Sequence, residues 1–258
     1  MPSYMSRDQR GFTLIEMSIV LVIIGLIVGG ILKGQEVIES ARQKNVMALY
    51  DQIRAAQNTF LDRYKALPGD YNEASTKIHS SVVDGNRNGY VSESTGVAGT
   101  NVSSIAAANG ASGENYMYFQ GLVASGLFAG GQLTTTTATV FSGGATPSAL
   151  PPAPWSNTGL TVAHGTHTGT ATGGAASAVT TVWLRLATSA TTVASANAPL
   201  TAASAFQIDQ KFDDGLPETG RIRNMDVNSG VCGGATTDYK ITAAVSGARE
   251  CDLIFSTD

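Results

Sequence analysis

From Phe12 to Leu32 the chain is almost wholly apolar, and one carboxylate, Glu16, interrupts the run near its start. At about 1.5 Å per helical residue such a run just spans a hydrocarbon core of roughly 30 Å. An acidic side chain within it costs about 2.5–3.5 kcal/mol on insertion scales, so Glu16 needs a compensating partner. The preceding residues carry two arginines, Arg7 and Arg10, against Asp8. That excess of positive charge predicts a cytoplasmic N-terminal side, with the remainder across the membrane. The glycines of "VGGILKG" would also suit the end of an ordinary signal peptide.

The residues that follow speak against simple removal of the run. Val46, Leu49, Ile53, Ala56, Phe60 and Tyr64 recur at intervals of three and four, which is one face of a helix. Gln43, Asp51, Arg54 and Arg63 occupy the other faces, and Pro68-Gly69 predicts the stop. One helix from Phe12 to about Leu67 would be on the order of 80 Å long. It would be apolar all round in its first half and amphipathic in its second. Gly25, Gly29, Gly30 and Gly34 make two overlapping G-x-x-x-G spacings, which allow close helix approach.

Charged residues make up 14% of the 258 residues and the formal net charge is −4, which excludes the basic face of a nucleic-acid binder. Cys232 and Cys251 either form one disulfide, given export, or are two unrelated buried thiols. "DGNRNGY" copies the opening of a calcium loop at Asp84, Asn86 and Asn88, but Thr95 stands where the closing glutamate belongs and Glu93 is two residues early. It is read either as a calcium site or as a plain polar turn; no other cofactor is required. Glu114 to Phe128 reads as an amphipathic helix with Phe119, Leu122, Val123 and Leu127 on one side. Thr201 caps a further helix reaching about Asp214, with Gly215 as terminator and Ala205, Ile208 and Phe212 inward. Asp213 and Asp214 sit at the unfavourable end of its dipole and need a partner, either a cation or Arg221 and Arg223. "VTTVWLRLA" alternates as a strand with Val182, Leu184 and Leu186 on one side, among Thr-, Ala- and Gly-rich loops over about 130–199. His164 and His167 read as exposed loop residues. No nucleophile–base elbow such as G-x-S-x-G occurs, so no catalysis is expected.

With "GFTLIE", Gly11 to Glu16, set between a short charged leader and the apolar run, the chain resembles the type IV pilin and type II secretion pseudopilin superfamily. "FLDRYKALPGD", "DGNRNGY", "GENYMYFQGLVASGLFAGG" and "FQIDQKFDDGLPETGRIR" look like recurring blocks of one subgroup of prepilin-type proteins. The resemblance implies an α+β pilin-like fold. Its parts would be a leader (1–11), a membrane and filament-core helix (12–34), the amphipathic half of that helix (35–67) and a β-rich head (68–258). It implies cleavage by prepilin peptidase between Gly11 and Phe12, with methylation of the new Phe12 amine. It also implies that Glu16 pairs with the terminal amine of a neighbouring subunit, so that neither charge stands alone in a low dielectric. The partners would be pilin subunits and an inner-membrane assembly platform with its ATPase. The precursor would sit in a bacterial inner membrane with a periplasmic head, before entering a pilus or pseudopilus. The competing expectation is an extracellular binding domain that keeps the helix only as a tether.

Overall fold

The computed structural model describes residues 11–91, 114–130, 150–155, 158–167, 179–188, 199–224, 232, 239 and 249–258. Helix α1 spans Leu14–Tyr64. The chain divides into two compact units, Met1–Lys44 and Asn45–Asp258, with the boundary inside this helix. In the first unit every described residue from Gly11 to Ile38 is exposed. The helix is long and apolar enough there to cross a membrane.

In the second unit the stripe along α1 is buried as its spacing predicts. Val46, Ile53, Ala56 and Phe60 are covered, with Leu49 and Tyr64 packed partly against the same core. Between them lie two buried polar or semi-polar residues on the same face, Tyr50 and Gln57. The helix ends at Tyr64 rather than Leu67. Lys65 adopts a left-handed φ of 54°, and Leu67 precedes Pro68, whose ring disfavours helical backbone before it.

After the short α2 (Ala74–Lys77) comes α3, Glu114–Ala124. It stops earlier than its apolar pattern, which continues to Phe128. Gly126, at φ 72°, donates its N–H to Val123 O, and Leu127 donates to Leu122 O. Together these form a Schellman end that closes the helix's free carbonyls. Met117, Tyr118, Phe119 and Leu122 are all buried. The Tyr118 hydroxyl donates to Gln57 Oε1 at 2.6 Å, which fixes α3 on the second half of α1.

Strands β1 (Gly159–His167), β2 (Val179–Ala187), β4 (Ile222–Asn224) and β6 (Leu253–Ser256) form one antiparallel sheet in the order β1-β2-β6-β4. β3 (Leu200–Thr201) and β5 (Arg249–Cys251) form a second, two-stranded sheet. In the main sheet Leu184 faces Val162 on β1 and Phe255 on β6. Val182, Leu184 and Leu186 are buried as expected, but so are Trp183 and Arg185 on the reverse face. Trp183 Nε1 donates to Gly165 O, and the Arg223 guanidinium lies 5.6 Å from the Trp183 ring. Arg185 forms a buried ion pair with Asp252. Both faces of β2 are therefore covered, whereas simple alternation predicts one.

α4, Ala202–Phe212, grows directly from β3, and the Thr201 side chain accepts the Ser204 N–H at 3.2 Å. That is the predicted N-cap. The helix ends two residues before Asp214, with Gly215 beyond it at φ 78°. Ala205 and Ile208 face inward, but Phe212 is 39% exposed and Asp209 takes the buried position instead. Much of the Thr-, Ala- and Gly-rich stretch, together with Glu93 and Thr95, lies outside the described residues.

Candidate functional site

The first turn of α1 is built from Gly11 to Glu16. Gly11, Phe12 and Thr13 are outside the helix, which starts at Leu14. A helix start leaves its first N–H groups without intrahelical acceptors. Thr13 and Glu16 answer this reciprocally: the Thr13 N–H and Oγ1 each donate to Glu16 Oε2 at 2.8 Å, and the Glu16 N–H donates to Thr13 Oγ1 at 3.3 Å. This is a capping box, threonine at the N-cap and glutamate three residues on. The T-x-x-E spacing announces it within "GFTLIE", a signal that goes unused when Glu16 is read only as a charge awaiting another chain.

The arrangement does two things. It holds the Glu16 carboxylate against its own helix end, beside the positive pole of the helix dipole, where an anion is favoured. It also terminates the helix two residues past the Gly11–Phe12 peptide bond, leaving that bond in non-helical backbone. Phe12 and Leu14 are exposed, as is the whole apolar surface that follows. A Cβ built on Gly25, Gly29, Gly30 or Gly34 meets nothing within 4 Å, so within the single chain these glycines are not demanded by packing.

The other residues singled out by sequence lie elsewhere. Cys232 and Cys251 are joined by a disulfide with Cα atoms 5.3 Å apart, and both are fully buried. Asp84 accepts from Ser75 N and Ser75 Oγ, at 2.7 and 2.8 Å. Asn86 Oδ1 accepts the Asn88 N–H, and Asn88 Oδ1 accepts the Tyr90 N–H. The loop is further held by the buried Asp70, whose two oxygens accept from Asn88 N and Gly89 N at 2.9 Å each. Burial pushes the Asp70 carboxyl upward, against the pull of these N–H donors. Asp84, Asn86 and Asn88 thus each accept at least one donor within the chain.

His164 is on β1, not in an exposed loop: its N–H donates to Val91 O and its ring lies 4.9 Å from that of Tyr90. β1 escapes a sequence reading because its short L-T-V-A alternation runs straight into "HGTH". Asp213 and Asp214, expected to need a cation or Arg221 and Arg223 as partners, are met by donors of the turn that follows α4. Asp213 Oδ2 accepts the backbone N–H of Ile222 at 2.7 Å and that of Arg221, while the Arg221 guanidinium donates to Tyr50. Asp214 accepts from Leu216 N and Thr219 Oγ1. Backbone amides do the work assigned to guanidinium groups because the turn after α4 folds back on those carboxylates. Asp209, their fully buried neighbour, accepts from Tyr239 at 2.8 Å. Burial, helped by Asp214 and Asp213, pushes its carboxyl up to about 7.

Residues 6–32 match the family model of the prokaryotic N-terminal methylation motif. No curated protein and no solved structure matches the chain.

Proposed function

We propose that this chain, whose residues 6–32 match the prokaryotic N-terminal methylation motif, is a prepilin-like protein and a structural subunit of a type IV pilus or type II secretion pseudopilus. The observation that carries the reading is one of register. The motif match ends where the exposed apolar run ends, and Gly11, Phe12 and Glu16 stand at its head. The motif implies processing by prepilin peptidase. Cleavage at Gly11–Phe12 frees an α-amine that is largely protonated at neutral pH.

In this reading the precursor is anchored by the first half of α1, with residues 45–258 outside the cytoplasm. Glu16 rests in its capping box with Thr13 until an adjoining subunit presents its Phe12 amine. The carboxylate then exchanges two neutral donors for a cation, and the pair is retained because either charge alone is costly in hydrocarbon. The exposed glycines at 25, 29, 30 and 34 let neighbouring helices approach closely in the filament core. The protein acts by assembly and not by catalysis.

Glu16→Ala tests the proposal in cells. Membrane insertion is expected to be unchanged or improved, and incorporation into filaments to be lost. Filaments of normal yield containing the variant would defeat the pairing of Glu16 with the Phe12 amine, and a parent chain that never enters filaments would leave the tethered binding domain as the better reading.

A further inference from the structure

The described core of residues 45–258 closes on one short segment, residues 253–257. β6 lies between β2 and β4, which pair with it and not with each other. Leu253, Ile254 and Phe255 are fully buried, and the Phe255 ring lies 5.5 Å from that of Tyr50 on α1. Polar contacts follow the same seam. Tyr50 donates its hydroxyl to Ser256 O, Arg54 Nε donates to Thr257 O at 3.0 Å, and Gln57 Nε2 donates to Thr257 Oγ1 at 3.1 Å. Positions 50, 54 and 57 share one helix face.

Thr257 is the junction. Its N–H and its Oγ1 both donate to Val182 O on β2, at 3.0 and 3.1 Å. Gln57 in turn accepts from Tyr118, so one buried threonine connects α1, α3 and the sheet. The α1 contacts are 200 to 206 residues apart in sequence, which makes them among the most entropically expensive to close. Until they form, the apolar stripe of α1 lacks Phe255 and Gln57 lacks one of its partners. Such contacts reward the chain only after the intervening structure exists.

We infer that β6 and Thr257 are the closing strap of this unit, docking late and locking α1, α3 and the sheet into their final arrangement. If the unit is exported, as the proposed function holds, its folding waits for residue 257 to cross the membrane. The strap itself stands whether or not the chain enters a filament.

The test uses the purified full chain in detergent, with unfolding and refolding rates followed by tryptophan fluorescence. Thr257→Val keeps the shape and removes the hydroxyl. It should speed unfolding by about tenfold while refolding stays within about twofold of the parent, the partition of a contact made after the transition state. Thr257→Ser should behave as the parent. In combination with Gln57→Leu, Thr257→Val should add less than its separate effect. A loss carried mainly by slower refolding, or unchanged unfolding in Thr257→Val, would overturn the strap. So would a chain ended after Asp252 that keeps a protease-resistant core containing the α1 stripe.

Discussion

The two halves of α1 share one backbone conformation and opposite side-chain fates. Residues 14–32 are apolar on nearly every face and exposed, whereas from Val46 onward one stripe is buried and the others are largely polar. A helix hydrophobic all round is matched to hydrocarbon or to other helices; a striped one is matched to a core. The difference teaches that the two halves are stabilised by different surroundings. Substitutions in one half should leave the other's property unchanged.

Phe60→Ala is the largest expected blow. It removes a buried ring beside Tyr64 and Tyr71 and should destabilise the 45–258 unit by about 3–5 kcal/mol in denaturant melts, with membrane insertion unaffected. Ile24→Asp should do the reverse: about 2.5–3.5 kcal/mol against insertion, read by membrane fractionation, with the melting of the folded unit unmoved. Equal effects of both variants on both readouts would erase the distinction. Reducing Cys232–Cys251 should cost about 3 kcal/mol in the same melts, because the bond closes a loop of about twenty residues.

The acidic turn after α4 sharpens the comparison through pH. An unfolded Asp209 loses its proton near pH 4, but the folded one retains it to about 7. Between those values the folded state binds more protons, so stability falls as pH rises. The stabilisation is full below about pH 4 and is lost as pH rises through about 7. Asp209→Asn should flatten the profile; a variant with an unchanged slope would assign the dependence elsewhere. The smallest effect is expected from a calcium chelator. Since Asp84, Asn86 and Asn88 already serve backbone and serine donors, the melting temperature should not move.

Local signals made the helical features legible in the sequence. The α1 stripe has a period of three to four, Thr201 precedes its helix as a cap, and "GFTLIE" places the candidate site to the residue. What stayed hidden depends on neighbours far along the chain. Gln43, placed by spacing on an outer face, is buried, and Gln57 is buried between Tyr118 and Thr257, 61 and 200 residues away. Trp183 and Arg185 read as the outer face of a strand, and among the described contacts Gly165, Arg223 and Asp252 help to explain their burial. Asp209 looks like a surface acid in "QIDQKFDDG" until Tyr239 covers it. Gly126 is a different case, because it could have ended α3 on paper. The apolar pattern running past it concealed the stop.

Mass spectrometry of the chain recovered from membranes of its host tests the central claim most directly. The account predicts a mature N-terminus at Phe12 carrying one methyl group on its amine, with Met1 to Gly11 absent. A product that keeps the first eleven residues, or one that begins beyond Leu32, would contradict it.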